Sequence, residues 1–242
     1  MAEEGPPVTI RPYEGRDRAA VREINRRTAY RNRGHDFLFE DGELHADYWT
    51  SYFTDYRPEA SWVVEREGRI IGYFLGCTDQ AHFLRTMKRR IIPRIAALAL
   101  WRSLTRYGSK SRRYVRFMLL TAPGETPDFP YLDFPAHYHC NITRAGYGLN
   151  LYTTLALMFC DRLEALGVKG MHGAMLEPAG SAAFPRMIAA FGQENVEAYA
   201  EKPTRLFAVV AGDDRPMLNR VWGAGIPAFR RYFEWMRDHA RM

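Results

Sequence analysis

Cysteine is scarce in this chain. Only Cys77, Cys140 and Cys160 occur in 242 residues, and no two stand close together. That excludes a disulfide framework and a CxxC zinc site, and it fits a reducing compartment. Long apolar runs are also missing, since none approaches the ~20 residues needed to cross a bilayer. The first seven residues, Met1 to Pro7, are acidic and have no apolar core, unlike a secretory signal. Together these absences point to a cytoplasmic protein. Repeats and low-complexity tracts are lacking, which excludes collagenous and disordered classes. What is present is ordinary globular material, 47% apolar and 26% charged, in a chain long enough for a sizeable core.

Acidic residues are missing from one long stretch. None lies between Gln80 and Gly124, whereas eleven basic residues fall between Gln80 and Arg116. The rest of the chain carries 23 basic against 28 acidic residues, so the overall charge of +6 belongs to one segment. Within it Leu84, Met87, Ile91, Ile95, Leu98 and Trp101 recur at helical spacing, and Pro93 predicts a break between two helices. A basic amphipathic helix suits a membrane surface, a nucleic-acid backbone, or an acidic partner or anionic cofactor. It also suits a plain solvated face over the core. Nucleic acid fits least well, because few aromatics are placed to stack on bases.

Elsewhere the pattern alternates between strands and helices. Val8 to Pro12 reads as a strand, and Asp17 to Arg27 and His45 to Phe53 as helices. Ser61–Glu65 and Ile70–Gly76 flank the turn Arg66-Glu67-Gly68-Arg69 and predict a β-hairpin. Pro135 to Ile142 predicts a strand, Leu149 to Leu166 a long helix closed by Gly167, and Val168 to Met175 another strand. Ser181–Phe191 reads as a helix, Arg205–Val210 as a late strand, and Pro227–Arg237 as a final helix. The expected organisation is one α+β domain over 1–242, with a basic helical insertion at 80–116 and a C-terminal helical extension at 214–242.

The unit of strand, glycine turn, helix and strand from His137 to Met175 carries the strongest functional signal. A helix that starts directly after a glycine turn offers free backbone N–H groups to a phosphate or pyrophosphate. Arg144 in the turn adds a charge-assisted contact. His137 and His139 are two apart on a strand and so share a face, where a neutral imidazole suits a general base. His172 stands on the following strand.

This order of elements resembles the GNAT superfamily of acyl-coenzyme A N-acyltransferases, most closely the acetyltransferase-like domain of O-GlcNAc hydrolases. Phe134-Pro135-Ala136-His137-Tyr138-His139 is similar to that branch's Pro-Ala-His-Leu-His stretch. Gly167-Val168-Lys169-Gly170-Met171-His172 resembles its Gly-Val-x-Gly-Val-His, and Ile71–Gly76 with Asp79 resembles the third strand of many such enzymes. The likeness spans Val8 to Val210. It implies a three-layer α/β/α, GNAT-like fold with a mixed, mostly antiparallel sheet and acetyl-CoA as co-substrate. Cys140, Asn141 and Ile142 would then face the pantetheine arm, while Arg144, Gly146, Gly148, Leu149 and Asn150 would hold the phosphates.

Two departures stand out. The turn reads Arg144-Ala145-Gly146-Tyr147-Gly148 where the family has Gln/Arg-x-x-Gly-x-Gly/Ala. The helix that often carries an acid tyrosine reads Gly180-Ser181-Ala182-Ala183-Phe184-Pro185-Arg186-Met187, with no tyrosine and with a proline that is expected to disturb its first turns.

The expected activity is direct transfer of an acetyl group from acetyl-CoA to a primary amine of a small molecule or peptide. His139, His137, His172 and Glu40 are the candidates for proton transfer. Asp41 and Tyr56 are further candidates for the acceptor pocket, and no metal is expected. The alternatives are a catalytically silent domain binding coenzyme A or a protein, and an acyltransferase that takes its acyl group from an acidic carrier protein docked on the basic segment.

Overall fold

The computed structural model describes residues 7–146 and 150–239. Strands β1 (Val8–Pro12), β2 (Ser61–Arg66), β3 (Arg69–Cys77) and β4 (His137–Ile142) form one antiparallel sheet in that order. Strands β5 (Gly170–Pro178), β7 (Met217–Gly225) and β6 (Ala198–Thr204) form a second, again antiparallel. A single parallel bridge, Ala136 to Met171, joins them. The β2–β3 hairpin closes through Glu67 and Gly68, both left-handed (φ 52° and 72°), a pairing whose twist matches that of the flanking strands.

Helices cover both faces. On one lie α1 (Arg18–Asn32), α2 (Gly42–Ser51), α3 (Gln80–Thr86), α4 (Ile92–Thr105) and α5 (Ser109–Leu120). On the other, α6 (Leu151–Ala165), α7 (Ala183–Phe191) and α9 (Ile226–His239) pack around the buried residues Phe74, Leu155, Phe159, Met171 and Phe233. Each such fully buried side chain contributes about 1.5–3 kcal/mol. The mixed helix and antiparallel-sheet arrangement is the three-layer α/β/α fold that the order of elements implied.

Four expectations need correction. The stretch Arg205–Val210 is not a strand. Its apolar run has no period of its own, and Leu206–Ala211 forms helix α8, closed by left-handed Gly212 (φ 68°). The late strands are β6 and β7, whose mixed polarity hid them. The 214–242 segment is accordingly not all helix, because β7 is the central strand of the second sheet before α9 begins. Pro93 breaks nothing: it sits in the first turn of α4, directly after a π-type turn that carries the helical chain through the proline. The chain runs from α3 through a wide turn at Met87–Ile91 into α4, and the break comes at Arg106 to Gly108. Pro185 likewise lies in the first turn of a regular α7.

Candidate functional site

The bridge at Ala136 is where the two sheets part. Ala136 N–H donates to the Gly170 carbonyl (3.3 Å), and its carbonyl accepts from His172 N–H (2.9 Å). Beyond it β4 pairs only with β3. Backbone groups alternate sides along a strand, so Tyr138, Cys140 and Ile142 direct their amides toward β5, as Ala136 does. Among the described residues no strand partner meets them there. The structure thus holds a slot between β4 and β5, lined on one side by an unpaired strand edge.

Side chains of β4 alternate across that slot. Tyr138, Cys140 and Ile142 pack toward α6, whereas His139 and Asn141 face α1 and α2, with His137 on the same side against Phe53 and Phe83. On the latter side the phenol of Tyr73 is a hub. Its oxygen accepts from Asn141 Nδ2 (2.6 Å) and Asn25 Nδ2 (3.2 Å), and it lies 3.1 Å from His139 Nδ1. A phenol with both lone pairs occupied has only its proton left to offer, so Tyr73 donates to His139 Nδ1. That fixes His139 as the Nε2–H tautomer. Burial pushes its imidazole down to about 4, so it is neutral at physiological pH. Its ring stacks on Trp49 at 5.4 Å.

His139 and Asn141 line a cavity of about 650 Å³. Its walls include Trp49 and His45 of α2, Leu176 and Pro178 at the end of β5, and Phe207 and Met217. The far wall is a strained corner of α1, where Tyr30, Arg31 and Asn32 are all left-handed (φ 52°, 61° and 64°). Among the described residues three arginines border the cavity, Arg31, Arg33 and Arg215, and no carboxylate does. Asp213, just outside, pairs with Arg215 at 2.6 Å and lies 3.8 Å from Arg33, leaving the group net positive.

The other candidate residues lie elsewhere. His137 is next to His172 (ring centroids 4.9 Å) and against Phe83, at the closed end of the slot. His172 Nδ1 meets the Phe134 carbonyl at 2.7 Å, while His137 Nδ1 is buried without a hydrogen-bond partner. Burial holds both imidazoles below their ordinary range. Glu40 is not brought to the histidines, because its carboxylate accepts from Gly108 N–H (3.0 Å) at the start of α5. Asp41 caps α2 through Leu44 N–H and accepts from Arg102 (2.6 Å), Arg106 (3.1 Å) and Tyr107. Both acids border a separate polar cavity of about 490 Å³. Tyr56 is exposed under Arg90.

The turn after β4 is tight. A Cβ on Gly146 would lie 2.5 Å from Ile142 Cγ2 and 3.0 Å from Leu151 Cδ1, so only glycine fits there. Asn150 precedes α6 in a left-handed conformation (φ 52°) and its side chain caps nothing. Among the described residues no side chain caps the first turn of α6. Arg144, in the turn Arg144–Gly146 after β4, is exposed. Gly148 and Leu149, two of the expected phosphate contacts, lie outside the described residues. Helix α7 carries no tyrosine, and the hydroxyls on the α6 side of β4 are Tyr138 and Tyr152, bonded to one another. Burial raises both phenols, which makes them poor acids.

The histidines have a consequence for stability. His45, His137, His139 and His172 are all held below 6.5, His45 down to about 3 by burial. An unfolded chain binds protons at these sites that the folded chain refuses. Their contribution is whole above about pH 6.5 and declines as pH falls toward 4. Urea melts across that window are expected to show falling unfolding free energy, and His45→Leu to flatten the decline.

Comparison with known proteins supports the fold. No protein-family model matches the chain, and no curated protein does. The crystal structure of SsHAT is similar over 91% of this chain and 99% of that one, at 22% identity and a TM-score of 0.62. The chain has the GNAT acyltransferase fold. More distant are yncA from Salmonella typhimurium, a proposed acetyltransferase with its cofactor acetyl-CoA (14% identity, 90% and 94% of the two chains, TM-score 0.46), and a proposed phosphinothricin N-acetyltransferase (14%, 90% and 98%, 0.46). Neither is near enough to inform the site.

Proposed function

We propose that the chain transfers an acetyl group from acetyl-CoA to a primary amine that also bears an anionic group. The observation that carries this reading is the unpaired inner edge of β4. A pantetheine arm holds two amides in an extended chain, and such a chain pairs with a free strand edge as a peptide does. Tyr138, Cys140 and Ile142 would supply the backbone partners. Arg144, Gly146, Asn150 and the first turn of α6 would hold the pyrophosphate at one end of the slot. On the opposite face the cavity beside His139 would hold the acceptor.

The cavity's chemistry favours an acidic acceptor. Three arginines and no carboxylate attract an anion and disfavour a polyamine. The same positive field lowers the pKa of an entering ammonium and so raises the fraction of free amine with its lone pair available. His139 would act as a fixed Nε2–H donor to an acceptor oxygen, not as a base, because Tyr73 occupies its other nitrogen. The amine attacks the thioester carbon, the C–S bond breaks, and the nitrogen's extra proton passes to water. No phenol on α7 stands ready for the thiolate, which would leave as the anion.

A catalytically silent domain that binds coenzyme A or a protein is the second reading, favoured by that missing tyrosine. Donation from an acidic carrier protein is a third. The link to the O-GlcNAc hydrolase branch is supported by Phe134–His139 and Gly167–His172, the two stretches that meet at the bridge between the sheets.

Titration calorimetry with acetyl-CoA tests the site. Binding in the micromolar range is expected, weakened roughly tenfold or more in Arg144→Ala by loss of a charge-assisted phosphate contact. A thiol-release assay should then show turnover with amino acids or phosphorylated amines and little with polyamines. Binding without turnover of any amine would favour the silent domain. No binding would favour the carrier protein.

A further inference from the structure

The outer face of α4 is apolar, which is unusual for a helix packed on a domain. Its inner side is held by Arg102 and Arg106, both bound to Asp41, and by Ile95, Leu98 and Ala99 in a core cluster with α2 and α5. At 100° per residue Pro93, Ala97, Leu100, Trp101 and Leu104 fall within one stripe on the opposite side. Leu100 is 51% exposed, Trp101 60% and Leu104 85%. Leu120 of α5 adds another at 76%. A monomeric protein seldom leaves such a contiguous ridge to water.

Positive charge surrounds the ridge. Arg85, Lys88, Arg89, Arg90 and Arg94 are exposed at its N-terminal end, and Arg112, Arg113 and Arg116 on the solvent side of α5. Apart from Arg90 over Tyr56 and Arg113 on the Val210 carbonyl, these cations have no ion pair or cation–π partner among the described residues. No acid lies between Gln80 and Gly124 to neutralise them. A second copy paired through this same face would bring like charges together, so a symmetric dimer across it is opposed. A protein partner would need a groove to take a convex ridge, whereas a bilayer surface deforms around one. Fourteen residues of α4 span about 21 Å, well short of the ~30 Å hydrocarbon core. The helix can lie in an interface but cannot cross it.

We propose that the α3–α5 segment binds an anionic lipid surface, with Leu100, Trp101 and Leu104 inserted at the headgroup boundary and the flanking arginines and Lys88 on the lipid phosphates and carboxylates. Leucine and tryptophan on one side with cations at the rim is the arrangement that interfacial helices use. The inference is independent of the acyl-transfer reading.

Co-sedimentation of the full chain with phosphatidylcholine vesicles, with and without phosphatidylserine, tests it. Binding is expected only with phosphatidylserine, and is expected to fall as salt rises. Lys88→Glu with Arg89→Glu should lower the partition coefficient roughly thirtyfold or more, at about fivefold per basic residue removed. Trp101→Ser with Leu104→Ser should lower it at least about tenfold. All four positions are exposed, so both variants should melt at the wild-type temperature. Equal binding to both vesicles, or none to either, overturns the proposal. So does vesicle binding untouched by both variants. Capture of an acidic carrier protein without vesicle binding would also overturn it and assign the surface to that partner.

Discussion

Replacing Arg220 with methionine is expected to lower the free energy of unfolding by about 3–5 kcal/mol. Arg220 lies on the central strand of the second sheet and bonds Glu177 on β5, whose side chain is wholly buried. Its Nε also donates to Glu201 on β6 (3.0 Å), and its guanidinium covers Phe184 of α7 at 4.9 Å. One side chain thus ties together three strands and a helix. Removing it leaves a carboxylate sealed from water, one of whose oxygens already has no partner. The loss comes mainly from that stranded charge and not from the bond itself. Glu177→Leu combined with Arg220→Met should therefore recover much of the stability. Denaturant melts of the two single variants and the double one measure this directly, and a double variant no better than Arg220→Met would refute the account.

His139→Ala is expected to raise KM for the amine roughly tenfold with a smaller change in kcat, the typical effect of removing one hydrogen bond to a bound substrate group. The pH dependence separates the donor role from a base role. A general base of ordinary histidine character would make the rate fall below about 6.5. A donor locked by Tyr73, with its imidazole down at about 4, loses its proper state only near that lower value. The rate should hold through the region where free histidine titrates, then fall as protonation of Nδ1 breaks the bond to Tyr73. Tyr73→Phe removes the lock and frees the imidazole to take either tautomer, so a partial loss of rate is expected, with the fall still near the lower value because burial, not Tyr73, depresses the imidazole. Measuring kcat/KM against pH for wild type and Tyr73→Phe decides between the two roles.

Much of the architecture could be read from local sequence, because the signals were local. The hairpin followed from two apolar runs around Glu67-Gly68. Helix α6 was evident from its apolar length and its terminal glycine, and the placing of both histidine-bearing strands followed from their flanking turns. The charge of the α3–α5 segment was likewise legible from composition alone. Leu206–Ala211 was not, since six apolar residues without a period fit a strand or a helix equally, and only packing decided for the helix.

The site was legible in part. That His139 and Asn141 share a face follows from the two-residue period of a strand. What surrounds them does not. Tyr73, Asn25 and Trp49 come from three separate elements and meet at β4 only because α1 and α2 pack over β3. Arg215 lies far in sequence from Arg31 and Arg33, and the three converge through the left-handed corner of α1 and the loop before β7. Glu40 shows the reverse case: an acid in a loop expected to shape the pocket is drawn instead to the N-terminus of α5. Sequence alone determined which segments alternate, turn and carry charge, because those properties depend on neighbours along the chain. Tertiary structure alone decided which nitrogen of His139 holds its proton and which sign of charge borders the cavity, because both depend on groups that only folding brings within hydrogen-bond and Coulomb range.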